Sequence, residues 1–447
     1  MSKDIRIKRG LSLKLEGEAE KELVKAPRSK TYAIKPPDFH ALVPKVVLKE
    51  GAKVLAGDEL FFSKYTDELR FTSPVSGTLK EIKRGDKRKI MEVIIEADPE
   101  DTYKDFGKMD AASSDAEAVK QRILESGCGA FINQRPYDIV ADPKDTPKAI
   151  FISAVSTAPL APDWGFILKE KQAAFQEGIN ALKKLTPGNV HLSVDENSAQ
   201  YLKDIKGVEL HNVKGPHPAG NVGIQIHKID PINQGDRVWT VNPEDVTIIG
   251  NVFLTGNYIA DKTVAVTGSE ATNRKYFSTK IGAEVADLIN KVDEDVRIIS
   301  GNVLTGFKVA NNQHISFFAN EVTLIPEGNK YRAFGWLPFT YNNIHSNSRT
   351  SLSWLFPNRK FKPTTNLNGE ERALVVTGEM EEVLPMDVYP MQLIKACMAG
   401  DIEKMENLGI YEVAPEDFAL VEYVNTSKIE VQDVIRLGLD LMITEVG

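Results

Sequence analysis

The chain has 447 residues, a length that predicts about three domains, each able to bury its own core. Its 42% hydrophobic and 26% charged residues are typical of a globular protein. With 55 lysines and arginines against 63 acidic residues, the formal net charge is −8, which argues against nucleic acid as the main partner.

Membrane-spanning and secretory segments are not predicted. No apolar run approaches the ~20 residues that a spanning helix needs. The basic start of the chain is not followed by the hydrophobic core of a signal peptide, so we expect the protein to stay in the cytoplasm. Cys128 and Cys397 are too few for a zinc or iron–sulfur site and are expected to be reduced and buried.

Residues 1–97 are predicted to form a β-rich lead-in followed by a barrel-sandwich module, which resembles biotinyl and lipoyl carrier domains. Gly51, Gly57 and Gly77 separate its short apolar strands. Carriers hold their prosthetic group on a lysine at a hairpin tip. Lys64 lies early in the corresponding turn without an attachment motif, so we interpret the module as structural, with a carrier as the alternative.

Residues 98–270 alternate between predicted helices and strands, as expected for a Rossmann-like α/β domain. Gly127 is suited to the left-handed cap of the first helix. Asn242 and Pro243 are typical of a helix N-cap and first helical residue. We predict helices at 116–126, 169–185 and 243–255, and strands at 148–155, 189–194, 207–213 and 262–267.

Residues 271–340 are predicted to form a β-grasp (SLBB) domain, with strands at 315–318 and 321–326 around one helix at 282–290. Residues 341–380 are interpreted as a strap and a return strand. Residues 381–447 are predicted to be a helical domain that lacks iron–sulfur cysteines. A capping box is predicted at 427–430, before an amphipathic helix.

Two loops contain the candidate chemistry. The glycine-rich segment at 126–136 matches neither a dinucleotide fingerprint nor a P-loop, which favours a helix cap and turn over a ligand loop. Arg135 within it is suited to pair with a carbonyl or phosphate oxygen. The loop 215–220 presents His217, either as a donor or proton relay or, the interpretation we favour, as part of a rigid turn bonded to backbone.

Several segments, in the same order along essentially the whole chain, resemble the NqrA family. These proteins are the A subunits of the bacterial sodium-pumping NADH:quinone oxidoreductase. The matching segments are IKRGL at 7–11, SPVSGTLKEIKRGDKR at 73–88, GPHPAG at 215–220 and NGEERALVVTG at 368–378.

The family is similar in architecture to the flavin-binding subunit of respiratory complex I and to the C subunit of the Rnf complex. In those relatives a GGAFP-type loop and an acidic motif hold FMN and NADH, and cysteines hold iron–sulfur centres. Here Ile132 replaces the loop proline, paired acids are missing from 156–163, and 420–427 has no cysteine. The resemblance therefore implies a protein that binds neither flavin nor iron–sulfur cluster itself.

The resemblance further implies a peripheral subunit on the cytoplasmic side of the bacterial inner membrane. Its partners are five other subunits, B to F, and especially the membrane-embedded B subunit. FAD, FMN, riboflavin and the iron–sulfur centre lie on those partners. Quinone is the expected substrate, reduced while sodium crosses the membrane.

A quinone site is expected to combine an apolar slot with donors to the carbonyl oxygens. The candidates are Phe131, Arg135, Pro136 and His217, with His40 as a weaker one. Two alternatives stay open. One is a structural docking protein with no ligand of its own, and the other is a flavoenzyme whose flavin loop has changed but still works.

Overall fold

The computed structural model describes residues 3–289, 292–328, 332–335, 337, 345 and 353–446. Two lead-in strands, β1 (Asp4–Arg6) and β2 (Glu20–Lys25), join sheets formed by later parts of the chain. The predicted strap lies partly outside the described residues. Within 353–378 the chain has one short 3-10 turn and one isolated β-bridge, between Phe361 and Leu15, but no strand, so the return strand predicted there is wrong.

The N-terminal module consists of two small antiparallel sheets. One has the strand order β3-β9-β8-β5 and the other β4-β6-β7. Lys64 follows β6 in the hairpin loop, as predicted. The strands are β3 (Thr31–Ile34), β4 (Pro44–Val46), β5 (Lys53–Val54), β6 (Glu59–Ser63), β7 (Arg70–Thr72), β8 (Gly77–Arg84) and β9 (Ile90–Ala97).

The central region is an α/β unit built on a seven-stranded sheet. Gly127 ends its first helix with a φ of +79°, the predicted left-handed cap. Its elements are α1 (Ala116–Glu125), β10 (Ile132–Arg135), β11 (Ile139–Val140), β12 (Ala149–Ser153), α2 (Trp164–Ile167), α3 (Gln172–Lys183), β13 (Asn189–Val194), α4 (Gln200–Lys203), β14 (Glu209–Lys214), α5 (Val222–Ile229), β15 (Val238–Val241) and α6 (Pro243–Thr255).

The strand order of this sheet is β1-β14-β13-β12-β15-β10-β11, and the first five strands are parallel. The chain runs outward from β12 through β13 to β14 and then returns to the other side of β12 as β15. Ile150 and Ile152 of β12 pack into one hydrophobic core, and Phe151 packs into a second. This alternation places apolar side chains on both faces of the sheet, as expected for a covered parallel sheet.

A second mixed sheet follows, with the order β19-β18-β20-β16-β17-β2. Its later strands are β16 (Asp261–Thr267), β17 (Lys275–Lys280), β18 (Val296–Ser300), β19 (Phe307–Val309) and β20 (Glu321–Pro326). The segment 262–267, placed by sequence at the end of the α/β domain, therefore pairs as β16 with β17 and β20. An apolar strand has the same pattern in either sheet, so the sequence did not distinguish them.

Two elements predicted in this region are wrong. In place of the helix predicted at 282–290, the described residues 282–289 contain one 3-10 turn, Val285–Asp287, because Gly282 has a φ of +72° and its carbonyl accepts from Ala33 N. In place of a strand at 315–318 there is a loop, because Phe317 N donates to the carboxylate of Asp38. Both segments follow long-range contacts instead of local preference.

The C-terminal region is helical, as predicted, and packs against the second face of the central sheet. Its helices are α7 (Glu379–Val383), α8 (Pro390–Ala399), α9 (Ile402–Asn407), α10 (Ala419–Val424) and α11 (Val431–Glu445).

The capping box predicted at 427–430 does not form. Ser427 Oγ donates to Asn425 Oδ1 instead, and Lys428 has a φ of +65°. The carboxylate of Glu422 accepts from Gln432 N at the start of α11. Cys128 and Cys397 are free and buried, as expected. None of the helices in the described part of the chain has the length and apolar character needed to cross a bilayer.

Candidate functional site

A cavity of about 510 Å³ lies at the carboxyl ends of β12 and β15. These two strands are neighbours in the sheet, and β13 and β14 lie on the other side of β12 from β15. The strand order therefore reverses between β12 and β15, which makes this a topological switch point. In open α/β sheets, the crevice outside such a point is the usual place for a ligand. The wall from the α/β unit includes Ser153, Thr157, Thr240 and Asn242.

Three other regions complete the cavity. The second mixed sheet contributes loops at 300–307 and residues 316–321, the N-terminal module contributes Asp38, and the C-terminal helical region contributes Glu416. The cavity therefore exists only when all four regions are packed together.

A hydrogen-bonded group fixes the floor of the cavity. Ser153 Oγ donates to the carbonyl of Gly220 at 2.7 Å, and Gln225 Nε2 donates to Ser153 Oγ at 2.8 Å. A Cβ atom at position 220 would lie 2.5 Å from the carbonyl oxygen of Val155. Only glycine allows this close approach of the loop to the strand end.

His217 does not line the cavity itself but contacts Thr157, which does. It is 3% exposed, and its Nδ1 is 3.2 Å from Thr157 Oγ1, which also accepts from Gly220 N at 2.8 Å. The Thr157 hydroxyl is therefore free to donate to His217 Nδ1. Burial lowers the pKa of His217 to about 4, which keeps the ring neutral. The side-chain partner of His217 is the Thr157 hydroxyl and not the backbone group that the sequence favours.

Arg135 is 1% exposed and joins the α/β unit to the C-terminal region. Its Nη1 donates to Asp417 at 2.7 Å and its Nη2 donates to Glu416 at 2.6 Å. Burial disfavours the cation, but Asp417 and Glu416 outweigh it and raise the pKa of Arg135. Arg135 lines the cavity, with both amino nitrogens already occupied by carboxylates.

The other predicted residues lie in different places. Phe131 lines the cavity, and its ring stacks on that of Phe317 at 5.0 Å. Pro136 is buried outside the lining. His40 Nε2 is 2.6 Å from Asp440 Oδ1, away from the cavity. The structure thus brings Phe131 and Arg135 together at the cavity, but not Pro136 or His40.

Sequence reasoning missed the acidic character of the lining. The five acids that line the cavity are Asp38, Asp138, Asp245, Glu321 and Glu416. Burial raises the pKa of Asp38 to about 6. A local signal existed only for Asp245, which lies in the first turn of a helix that follows a strand directly.

A second polar cluster lies elsewhere in the α/β unit. His191 Nδ1 is 2.9 Å from His211 Nε2 and 3.6 Å from Glu209 Oε2. The backbone amide of Lys3 donates to His211 Nδ1, which places the ring proton on Nε2, the atom that a metal would need. The cluster is therefore best described as a pair of neutral, hydrogen-bonded histidines.

Comparison with known proteins decides the family. Models of three NqrA domains match the chain: the N-terminal barrel-sandwich hybrid domain at 5–98, the second alpha/beta domain at 114–258 and the C-terminal domain at 263–311. The A subunit of the Na(+)-translocating NADH-quinone reductase of Saccharophagus degradans is 34% identical over 97% of this chain and 98% of the relative. The chain belongs to the NqrA family.

Other members of the NqrA family agree with this assignment. The corresponding protein of Neisseria meningitidis serogroup A is 32% identical over 98% of each chain. The barrel-sandwich, α/β and SLBB-type regions predicted from sequence are confirmed by the three domain matches. A solved NAD+-reducing [NiFe]-hydrogenase overlays on 75% of this chain and 62% of its own with a TM-score of 0.41 and 10% identity, too weak a likeness for any argument.

Proposed function

We propose that the chain is the A subunit of a Na(+)-translocating NADH-quinone reductase and that its cavity binds the quinone. The observation that carries the first part is the 34% identity over nearly the whole length to a protein of that name. In this proposal the chain is peripheral, on the cytoplasmic side of the membrane. It works with five partners, B to F, and especially with the membrane-embedded B subunit. These partners supply the redox cofactors and the sodium path.

The lining of the cavity favours an uncharged ligand over a phosphate-bearing one. A flavin nucleotide would place its phosphate in a lining whose described charged side chains are five acids and one arginine, and like charges repel at short range in a buried site. Arg135 is the one cation among the described residues of this lining, and its ion pairs with Glu416 and Asp417 leave no net positive charge for a phosphate. We propose that the α/β domain keeps the architecture of the flavin-binding protein of complex I and that this cavity takes a quinone without a flavin.

The cavity also offers what a quinone ring needs. Its volume of about 510 Å³ lies within the range of small-molecule sites. Phe131, Trp164 and Phe318 supply apolar surface, and the side chains of Asn133 and Asn242 offer donors for carbonyl oxygens.

Capture of partner proteins tests whether the chain belongs to such a reductase. The tagged chain would be purified from gently solubilised native membranes, and the bound proteins would be identified by mass spectrometry and assayed for NADH:quinone activity. We expect five partners and sodium-stimulated quinone reduction. Recovery of the chain alone would contradict membership of the complex.

A blocked cavity tests quinone binding. Ala158 lines the cavity, so Ala158→Trp is expected to fill part of it and raise the KM for quinone by about ten-fold, the cost of one good contact. NADH oxidation by an artificial acceptor should not change, because in this proposal the redox cofactors that oxidise NADH lie on the partner subunits. Ala112→Trp, at an exposed position outside the lining, is the matched control. Equal KM values for the two variants would favour a docking protein with no ligand.

A further inference from the structure

Glu321 is a buried acid with no cation partner among the residues that the structure describes. It begins β20, is 4% exposed and lines the switch-point cavity. Its Oε2 atom is buried without a hydrogen-bond partner in the part of the chain that the structure describes. Buried carboxyl oxygens normally have a donor, so this one needs an explanation.

The sheet register shows which way Glu321 points. Glu321 on β20 is paired with Ala265 on β16, and Ala265 is paired with Tyr276 on β17, so the three side chains share one face of the sheet. The hydroxyl oxygen of Tyr276 accepts from Asp163 N at 3.0 Å, and its ring centre is 4.7 Å from that of Phe166. That face therefore looks toward the α/β unit, the side on which the cavity lies.

The cations described on the neighbouring elements are already paired. Lys262 Nζ donates to Asp245 at 2.7 Å, Lys171 Nζ donates to Glu244 at 2.6 Å, and Lys21 is paired with Asp163. Lys262 lies on β16, Lys171 directly precedes α3, and Lys21 lies on β2.

The remaining charged groups near the cavity do not offset a negative charge on Glu321. The cavity side adds three more acids, Asp38, Asp138 and Glu416, and Arg135 is bound to two carboxylates. Burial raises the pKa of Glu321 well above its usual value, which favours the protonated, neutral form of the group.

We propose that Glu321, in its protonated form, donates a hydrogen bond to a carbonyl oxygen of an uncharged ring ligand held in the cavity. The inference rests on the proposed function and names a residue for it. A protonated carboxyl group has one O–H donor, and a carbonyl oxygen is an acceptor without a donor of its own. An ionised Glu321 would instead present an acceptor to that oxygen and weaken binding.

The pH dependence of quinone binding tests this role in the assembled reductase. The KM for a short-chain ubiquinone would be measured from about pH 6 to about pH 9, a range that reaches well above the usual pKa of a glutamate. We expect the wild-type KM to rise at the alkaline end, as Glu321 loses its proton. Glu321→Gln keeps an N–H donor at the same place, so its KM should stay within a few-fold of wild type and lose that alkaline rise.

Two further variants complete the design. Glu321→Leu removes the donor and is expected to raise the KM by about ten-fold at neutral pH, the effect of one net hydrogen bond. Glu327→Gln makes the same chemical change six residues along the chain at a group paired with Arg297 outside the cavity, so it should keep the wild-type profile.

The outcomes separate the inference from the proposed function. If Ala158→Trp raises the KM but Glu321→Gln keeps the wild-type alkaline rise, or Glu321→Leu leaves the KM unchanged, then Glu321 is not the donor. If Ala158→Trp has no effect on the KM, the cavity does not bind the quinone and the proposed function fails first. The proposal is supported if Glu321→Gln loses the alkaline rise in KM while wild type and Glu327→Gln keep it.

Discussion

The buried acids on the two sides of the cavity differ in whether the protein supplies a cation for them. On the side of the C-terminal region, Asp417 and Glu416 are held by Arg135 at 2.7 and 2.6 Å. On the side of the second mixed sheet, Glu321 has no cation within the described part of the chain, and burial raises its pKa. A paired charge holds two regions of the fold together, whereas an unpaired acid lowers stability and is left for a ligand.

The largest expected effect is at the paired side. Arg135→Ala leaves the carboxylate of Asp417, which is 0% exposed, without its cation, and should lower the free energy of unfolding by about 3–5 kcal/mol. Denaturant unfolding of the purified chain measures this. Arg237→Ala is the control, because its pair with Asp145 is partly exposed and should contribute at most about 1 kcal/mol. Similar losses in the two variants would contradict the assignment of Arg135 as a tie between regions.

The same chemical change at the two sides sharpens the comparison. Asp417→Asn removes the charge that Arg135 needs and should cost about 2–4 kcal/mol of unfolding free energy. Glu321→Gln replaces a neutral acid by a neutral amide of the same shape and should change stability by less than about 1 kcal/mol at pH 7. A large loss in Glu321→Gln would mean that its carboxylate is paired in solution.

Acid should act on a third buried group, His217. Its pKa is about 4 in the folded chain because burial disfavours the cation, while the unfolded chain takes up the proton near the ordinary value of about 6.5. Stability from the neutral ring is therefore complete above that value and is lost as the pH falls toward 4. Between about pH 7 and about pH 5, we expect the free energy of unfolding to fall by about 2 kcal/mol less in His217→Asn than in wild type. Equal losses in wild type and variant would show that the ring is solvated.

The smallest effect is expected at an exposed pair. Lys214 Nζ and Glu196 Oε1 are 2.7 Å apart, and both side chains are 59% exposed. Lys214→Ala should change the unfolding free energy by less than about 0.5 kcal/mol, since water screens the pair. A larger loss would mean that distance, and not burial, decides how much such an ion pair contributes to the free energy of unfolding.

Elements with local signals could be predicted from sequence. The helix Pro243–Thr255 and the strands Asn189–Val194 and Glu321–Pro326 have the predicted bounds, because caps and apolar periodicity are local features. The helix predicted at 282–290 and the strand predicted at 315–318 were wrong. The backbones of Gly282 and Phe317 bond to Ala33 and Asp38, which lie more than two hundred residues away in the chain.

The candidate site was predicted only in part for the same reason. Phe131 and Arg135 follow a glycine-rich turn that stands out in the sequence, and both line the cavity. Asp38, Glu321 and Glu416 come from three other regions of the chain and are joined only by the packing of those regions. A single sequence has no local pattern that places them together.

Photolabelling with a quinone tests the central claim most directly. The assembled reductase would be irradiated with a ubiquinone carrying a photoreactive group on its ring, and the labelled peptides of this chain would be mapped by mass spectrometry. We expect label in the segments around 153–162, 240–245, 300–307 and 316–321, lost when unlabelled quinone competes. Competable label confined to other segments, or its absence from this chain, would contradict a quinone site at the switch point.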